Sequence, residues 1–175
     1  MLPTLRSWFF TLALLPLALS APPIAAQLPV FLVGSAGASF DVDERDPVSG
    51  GGFAFLTGVG LRFHRVALGG EFGQHALGGD RKAKQYGAFL RLAATEARRV
   101  EPYLLLGVAD YQYGPATGTR TRALGASVGP GVTFALLDPR IRVLLEGRFH
   151  TSLDRIGTIS SQEFMSVALG LEFRP

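Results

Sequence analysis

Glu163-Phe164-Met165-Ser166-Val167-Ala168-Leu169-Gly170-Leu171-Glu172-Phe173 is the last strand-like run of the chain. From Met165 onward its odd positions are all apolar, while Ser166, Ala168, Gly170 and Glu172 fill the even ones. That period of two belongs to a strand whose faces meet unlike media. In a soluble sandwich the large face points into the core; in a transmembrane barrel it points to lipid and the small face lines the lumen.

Seven further runs carry the same alternation. In 140–151, Ile141, Val143, Leu145 and Phe149 oppose Arg142, Glu146, Arg148 and His150, and in 122–136, Leu124, Ala126, Val128, Val132 and Phe134 oppose Gly125, Ser127, Gly129, Gly131 and Thr133. Pro130 interrupts the latter, where it predicts a local irregularity. Run 102–113 is less regular: Leu104, Leu105 and Leu106 are consecutive and Val108 shares parity with Asp110 and Gln112, so a bulge is expected. Runs 85–94, 53–64 and 30–40 alternate cleanly, and 53–64 reverses around His64 and Arg65 into a return run from Val66, as a hairpin does.

Eight strands result, with connections 41–52, 74–84, 114–121 and 152–162 at one end and mostly tighter ones at the other. Long outside and short inside is the membrane-barrel arrangement. The small-residue face supports it, because Gly, Ala and Ser with scattered charges suit a crowded interior better than a soluble surface. By parity Arg62, Arg91, Arg142 and Arg148 can meet Glu71, Glu146 and Glu172 there in a closed ion-pair network. Phe53, Phe63, Tyr103, Tyr111, Tyr113, Phe134, Phe149, Phe164 and Phe173 fall near strand ends, where interfacial girdles are expected.

Composition bounds the rest. The 175 residues suit one domain, 22 Gly and 11 Pro suggest many turns, and the absence of Cys excludes disulfides and thiol chemistry. Arg6, the apolar run 8–19 and Ile24-Ala25-Ala26 before Gln27 read as a secretory signal peptide over 1–26, leaving 27–175 as the barrel domain. Removing Arg6 leaves 16 Lys plus Arg against 14 Asp plus Glu, a charge of +2 that does not argue for nucleic acid.

With the signal peptide, the eight strands, Glu101-Pro102-Tyr103, Glu146-Gly147-Arg148-Phe149-His150 and the closing Leu169-Gly170-Leu171-Glu172-Phe173, the chain resembles the small outer-membrane β-barrel family of Gram-negative bacteria, the group similar to the OmpA transmembrane domain. The resemblance implies an all-β, eight-stranded antiparallel up-and-down barrel in the cell outer membrane, in contact with outer-membrane lipid. It also implies insertion by the barrel assembly machinery, with Leu169, Leu171 and Phe173 as the signal, here followed by Arg174 and Pro175. A monomer without cofactor is expected. Family members serve as anchors, adhesins, resistance factors or narrow channels, and a structural or interaction role is the first reading.

Three alternatives stand beside it. His150, Ser152 and Glu163 are similar to the base, nucleophile and orienter of lipid A 3-O-deacylases, although parity puts Glu163 on the other face and Leu153 follows Ser152 where that family has Asn. A narrow channel is the second, and a soluble lipocalin-like barrel with its Leu, Val and Phe set around a ligand cavity is the third. Gly125-Ala126-Ser127-Val128-Gly129 spells a nucleophile elbow but lies within an alternating run. Asp41, Asp43, Glu44 and Asp46 lack the glycine spacing of a calcium loop, and His64, His75 and His150 are scattered, so no metal site is expected.

Overall fold

The computed structural model describes residues 29–42, 51–95, 99–115, 120–153 and 162–175. The expected export segment 1–26 and the acidic Asp43, Glu44 and Asp46 lie outside them. Eight antiparallel strands follow one another in order: β1 Val30–Asp41, β2 Gly51–Phe63, β3 Val66–Ala76, β4 Arg81–Ala93, β5 Val100–Pro115, β6 Thr121–Ala135, β7 Ile141–Ser152 and β8 Glu163–Phe173. The sheet closes on itself, with β8 hydrogen-bonded to β1 from Leu32↔Phe173 to Asp41↔Phe164. Closure removes both sheet edges, so every strand has a partner on each side.

The alternation sorts onto the two faces as lumen and exterior. Val59, Leu61, Leu68, Leu104, Leu106, Val128, Leu145, Val167, Leu169 and Leu171 are exposed on the outer wall, while Ser39, Glu101, Arg142, Glu146, Arg148, Ser166 and Glu172 are buried inside. This overturns the lipocalin-like alternative, in which the large apolar set would surround a cavity. A face of this kind excludes water only when another apolar medium covers it.

Strand β5 carries no bulge. Its ladders with β4 and β6 run without a break, and Leu105 points inward beside Tyr103 while Leu104, Leu106 and Val108 point outward. Asp110 and Gln112 continue the outward parity but lie nearer the loop-rich rim. The pattern looked irregular only because one face of β5 is apolar below and polar above. Pro130 does interrupt a ladder: Gly129 and Pro130 have no partners on β7, yet Val128↔Phe149 and Gly131↔Glu146 keep one register across the gap.

Two further expectations are corrected. The connection expected over 74–84 shrinks to 77–80, because β3 and β4 extend to Ala76 and Arg81. A tight turn closes it, with the Leu77 amide donating to the Arg81 carbonyl at 3.0 Å and Gly78 and Gly79 at φ 92° and 54°. Tyr103, Tyr111, Tyr113 and Phe164 are buried in the lumen and do not join a girdle; Phe53, Phe63 and Phe134 remain exposed on the outer wall. The reversal at His64 and Arg65 pairs Phe63 with Val66, with His64 at φ 53°.

Candidate functional site

The lumen is the site, and strand order stacks its contents. At the short-turn end, Arg62 on β2 donates to both carboxylate oxygens of Glu101 on β5, at 2.5 and 2.8 Å. Arg174, just past β8, reaches Glu101 at 3.3 Å and Glu172 at 2.5 Å. Glu172 also accepts from Arg91 at 2.5 Å, and the Arg142 Nε–H donates to the Thr133 hydroxyl at 3.0 Å. Charges of both signs alternate along this chain of contacts, which limits the cost of removing each from water.

One level up, the Arg91 guanidinium sits in an aromatic cage, 5.4, 5.2 and 4.9 Å from the ring centres of Phe31, Phe89 and Tyr103. The Tyr103 hydroxyl donates to Glu146 at 2.7 Å. Glu146 also accepts from Arg148, whose guanidinium continues across to Glu71. Glu71 takes a further bond from the Gln85 amide at 2.7 Å, and Gln85 Oε1 lies 3.0 Å from His75 Nε2, which therefore carries the proton.

Above this lies an aromatic layer. His150 stacks on Phe164 with ring centres 4.2 Å apart, and His75 meets His150 edge-on at 5.0 Å. Tyr111 and Tyr113 stack beside them at 5.7 Å. His150 is held at both nitrogens, by the Tyr111 hydroxyl at Nδ1 and the Ser166 hydroxyl at Nε2, each at 2.9 Å.

The proposed triad is not assembled. His150 bonds Tyr111 and Ser166, not Ser152, whose hydroxyl instead accepts the Gln162 amide at 2.9 Å to tie the β7–β8 connection. Glu163 pairs in register with Thr151 on the outward parity, so the barrel wall lies between it and His150. Ser127 of the elbow-like sequence sits mid-strand in β6, buried, with no strand-to-helix turn. No group of three or more His, Cys, Asp or Glu able to hold a metal occurs among the described residues.

Of the charged residues expected in the lumen, Arg62, Arg91, Arg148, Glu71, Glu146 and Glu172 share ion pairs there, and the contacts of Arg142 include the Thr133 hydroxyl. The expected partner of Arg62 was Glu71, Glu146 or Glu172; its partner is Glu101. Glu101 and Arg174 escaped the sequence reading because both sit at strand ends, where a charge reads as loop. The odd parity that Glu101 shares with Tyr103, Tyr111 and Tyr113 in β5 is the signal that finds it, and Arg174 continues the even, inward parity of Ser166, Ala168 and Glu172 in β8. Leu169, Leu171 and Phe173 lie on the outer parity of β8, Leu169 at 60% exposure.

No protein-family model matches the sequence, and no curated protein matches it significantly. Solved structures do. Neisserial surface protein A is similar to this chain with a TM-score of 0.72 at 15% identity, over 84% of this chain and 97% of that one. The N-terminal β-barrel domain of Pseudomonas aeruginosa OprF gives 0.56 at 12%, over 83% and 98%. The Yersinia pestis attachment invasion locus protein Ail, solved with the heparin analogue sucrose octasulfate, gives 0.53 at 15%, over 83% and 97%. What these proteins share with this chain is its fold, the small closed antiparallel β-barrel.

Proposed function

We propose that this chain is an integral outer-membrane barrel with a nonporous, ion-paired lumen, and that its role is structural or interactive rather than transport. The observation that carries the reading is the cross-lumen chain from Arg62 through Glu101, Arg174, Glu172 and Arg91, continued by Glu146, Arg148 and Glu71. An eight-stranded barrel has room for little beyond its own side chains, and these fill it with paired charge and aromatic rings. The belt of exposed leucines and valines supports residence in lipid.

In this reading residues 1–26 direct export, the barrel assembly machinery inserts the monomer, and Leu169, Leu171 and Phe173 present the apolar face of the terminal strand to it. Arg174 does not extend that face, since its guanidinium folds inward onto Glu101 and Glu172. Fractionation of a Gram-negative host, with gels of boiled and unboiled extract, tests the location: an outer-membrane band that shifts on heating is expected. Planar-bilayer recording tests the lumen. Absence of stable conductance steps is expected, and reproducible ohmic steps would overturn the closed lumen.

A further inference from the structure

The outer wall is not uniform around its loop-rich rim. On β3 and β4 three outward rows succeed one another toward that rim: Gly70↔Ala88, then Phe72↔Tyr86, then Gln74↔Lys84. The upper row continues across the sheet as Lys84↔Gln112 and Gln112↔Arg122, so Lys84 and Arg122 stand two strands apart at one level. Adjacent strands are about 4.8 Å apart, which leaves two long flexible cations about 10 Å apart at their bases and able to converge. Lys82 lies one row higher on the same face of β4, and Arg122 is 73% exposed with Asp110 only at 4.0 Å.

Beneath the cations, the Phe72 and Tyr86 rings pack at 5.1 Å, Tyr86 being 47% exposed. Below the rings the wall is hollow. A methyl group added at Gly70 would meet nothing nearer than the Gly87 carbonyl at 3.7 Å, and Ala88 beside it is exposed. Val59 and Val108 flank the pair in register. Elsewhere at this rim, the outward positions among the described residues are Phe40 on β1 and Val42 just past it, Gly51 and Phe53 on β2, Thr151 on β7 with Leu153 just past it, and Glu163 and Met165 on β8, none of them basic.

Cation, aromatic pair and small-residue hollow thus stand in the order in which a lipid presents phosphate, interfacial backbone and acyl chain. We infer that the β3–β6 sector binds one phosphate-bearing, acylated lipid of the surrounding leaflet, with Lys82, Lys84 and Arg122 on its phosphate and an acyl chain over Gly70 and Ala88. Charge complementarity selects the occupant: three cations against the single carboxylate of Asp110, which pairs with Tyr86 in the row below, leave a net positive rim that favours an anionic headgroup over a zwitterionic one. The inference rests on the membrane reading above.

The test titrates the folded barrel in zwitterionic micelles with bisphosphoryl lipid A and with its dephosphorylated counterpart, reading retained lipid by native mass spectrometry. Saturable retention of the phosphorylated lipid is expected, weakened about tenfold or more in a Lys84→Gln/Arg122→Gln variant. An Arg140→Gln variant, which removes a cation at the opposite end, retains it unchanged. Equal retention of both lipids, or by the double variant, would overturn the site while the heat shift of the band keeps the membrane reading intact. Suppression by millimolar inorganic phosphate would assign the cations to a free anion and overturn the lipid. A wild-type chain that never shifts on heating would bring down the membrane reading and this inference together.

Discussion

Arg148 and Glu71 meet in the middle of the lumen, one guanidinium nitrogen 2.7 Å from each of the two carboxylate oxygens, although they stand on β7 and β3, on opposite sides of the barrel. The pair spans the lumen between strands four apart, as Arg91 on β4 and Glu172 on β8 also do, and Glu146 shares the same guanidinium. Everything else in the lumen is arranged above or below this crosspiece.

Arg148→Met is expected to leave Glu71 and Glu146 buried without their shared cation, at a cost of about 3–5 kcal/mol. Denaturant unfolding in micelles, followed by the heat-shifted band, measures it. A loss below about 1 kcal/mol would mean that water or rearrangement replaces the pair.

Leu169→Arg places a charge on the outer wall near the middle of β8, where the cost in a bilayer is about 2–4 kcal/mol. Gln112→Arg, outward but near the rim, is expected to cost about 0–1 kcal/mol. Equal costs for the two in lipid vesicles would sink the assignment of the wall to the bilayer.

Gly129→Ala drives a methyl group into the Gly147 carbonyl on the facing strand, at the gap that Pro130 opens between β6 and β7. Backbone cannot yield as a side chain does, so about 1–3 kcal/mol is expected to be lost. Gly34→Ala, with nothing within 4 Å of the added carbon, serves as the tolerated comparison. The folded fraction on unboiled gels reads both.

Tyr111→Phe removes the hydroxyl at His150 Nδ1 and leaves that buried nitrogen without its partner, for an expected loss of about 1–3 kcal/mol. Ser152→Ala, which breaks only the bond from the Gln162 amide, is expected to cost about 1 kcal/mol. A loss of lipid A deacylation by Ser152→Ala in a protein that folds normally would revive the esterase reading that the geometry of His150 disfavours.

The sequence alone determined the strands and their faces. A period of two is local chemistry, so Leu169 outward and Ser166 inward were legible from β8 by itself, as was the reversal at His64. Position near a strand end misplaced Tyr103, Tyr111, Tyr113 and Phe164, because an aromatic there reads alike whether it meets the membrane interface or plugs a lumen. Partners across the lumen were not legible at all. Which carboxylate meets Arg62, or that Arg148 reaches Glu71, depends on how closure and strand stagger bring β2 toward β5 and β7 toward β3, distances that no segment of sequence encodes by itself. Only the closed sheet decided that His150 faces Ser166 and Tyr111 instead of Ser152.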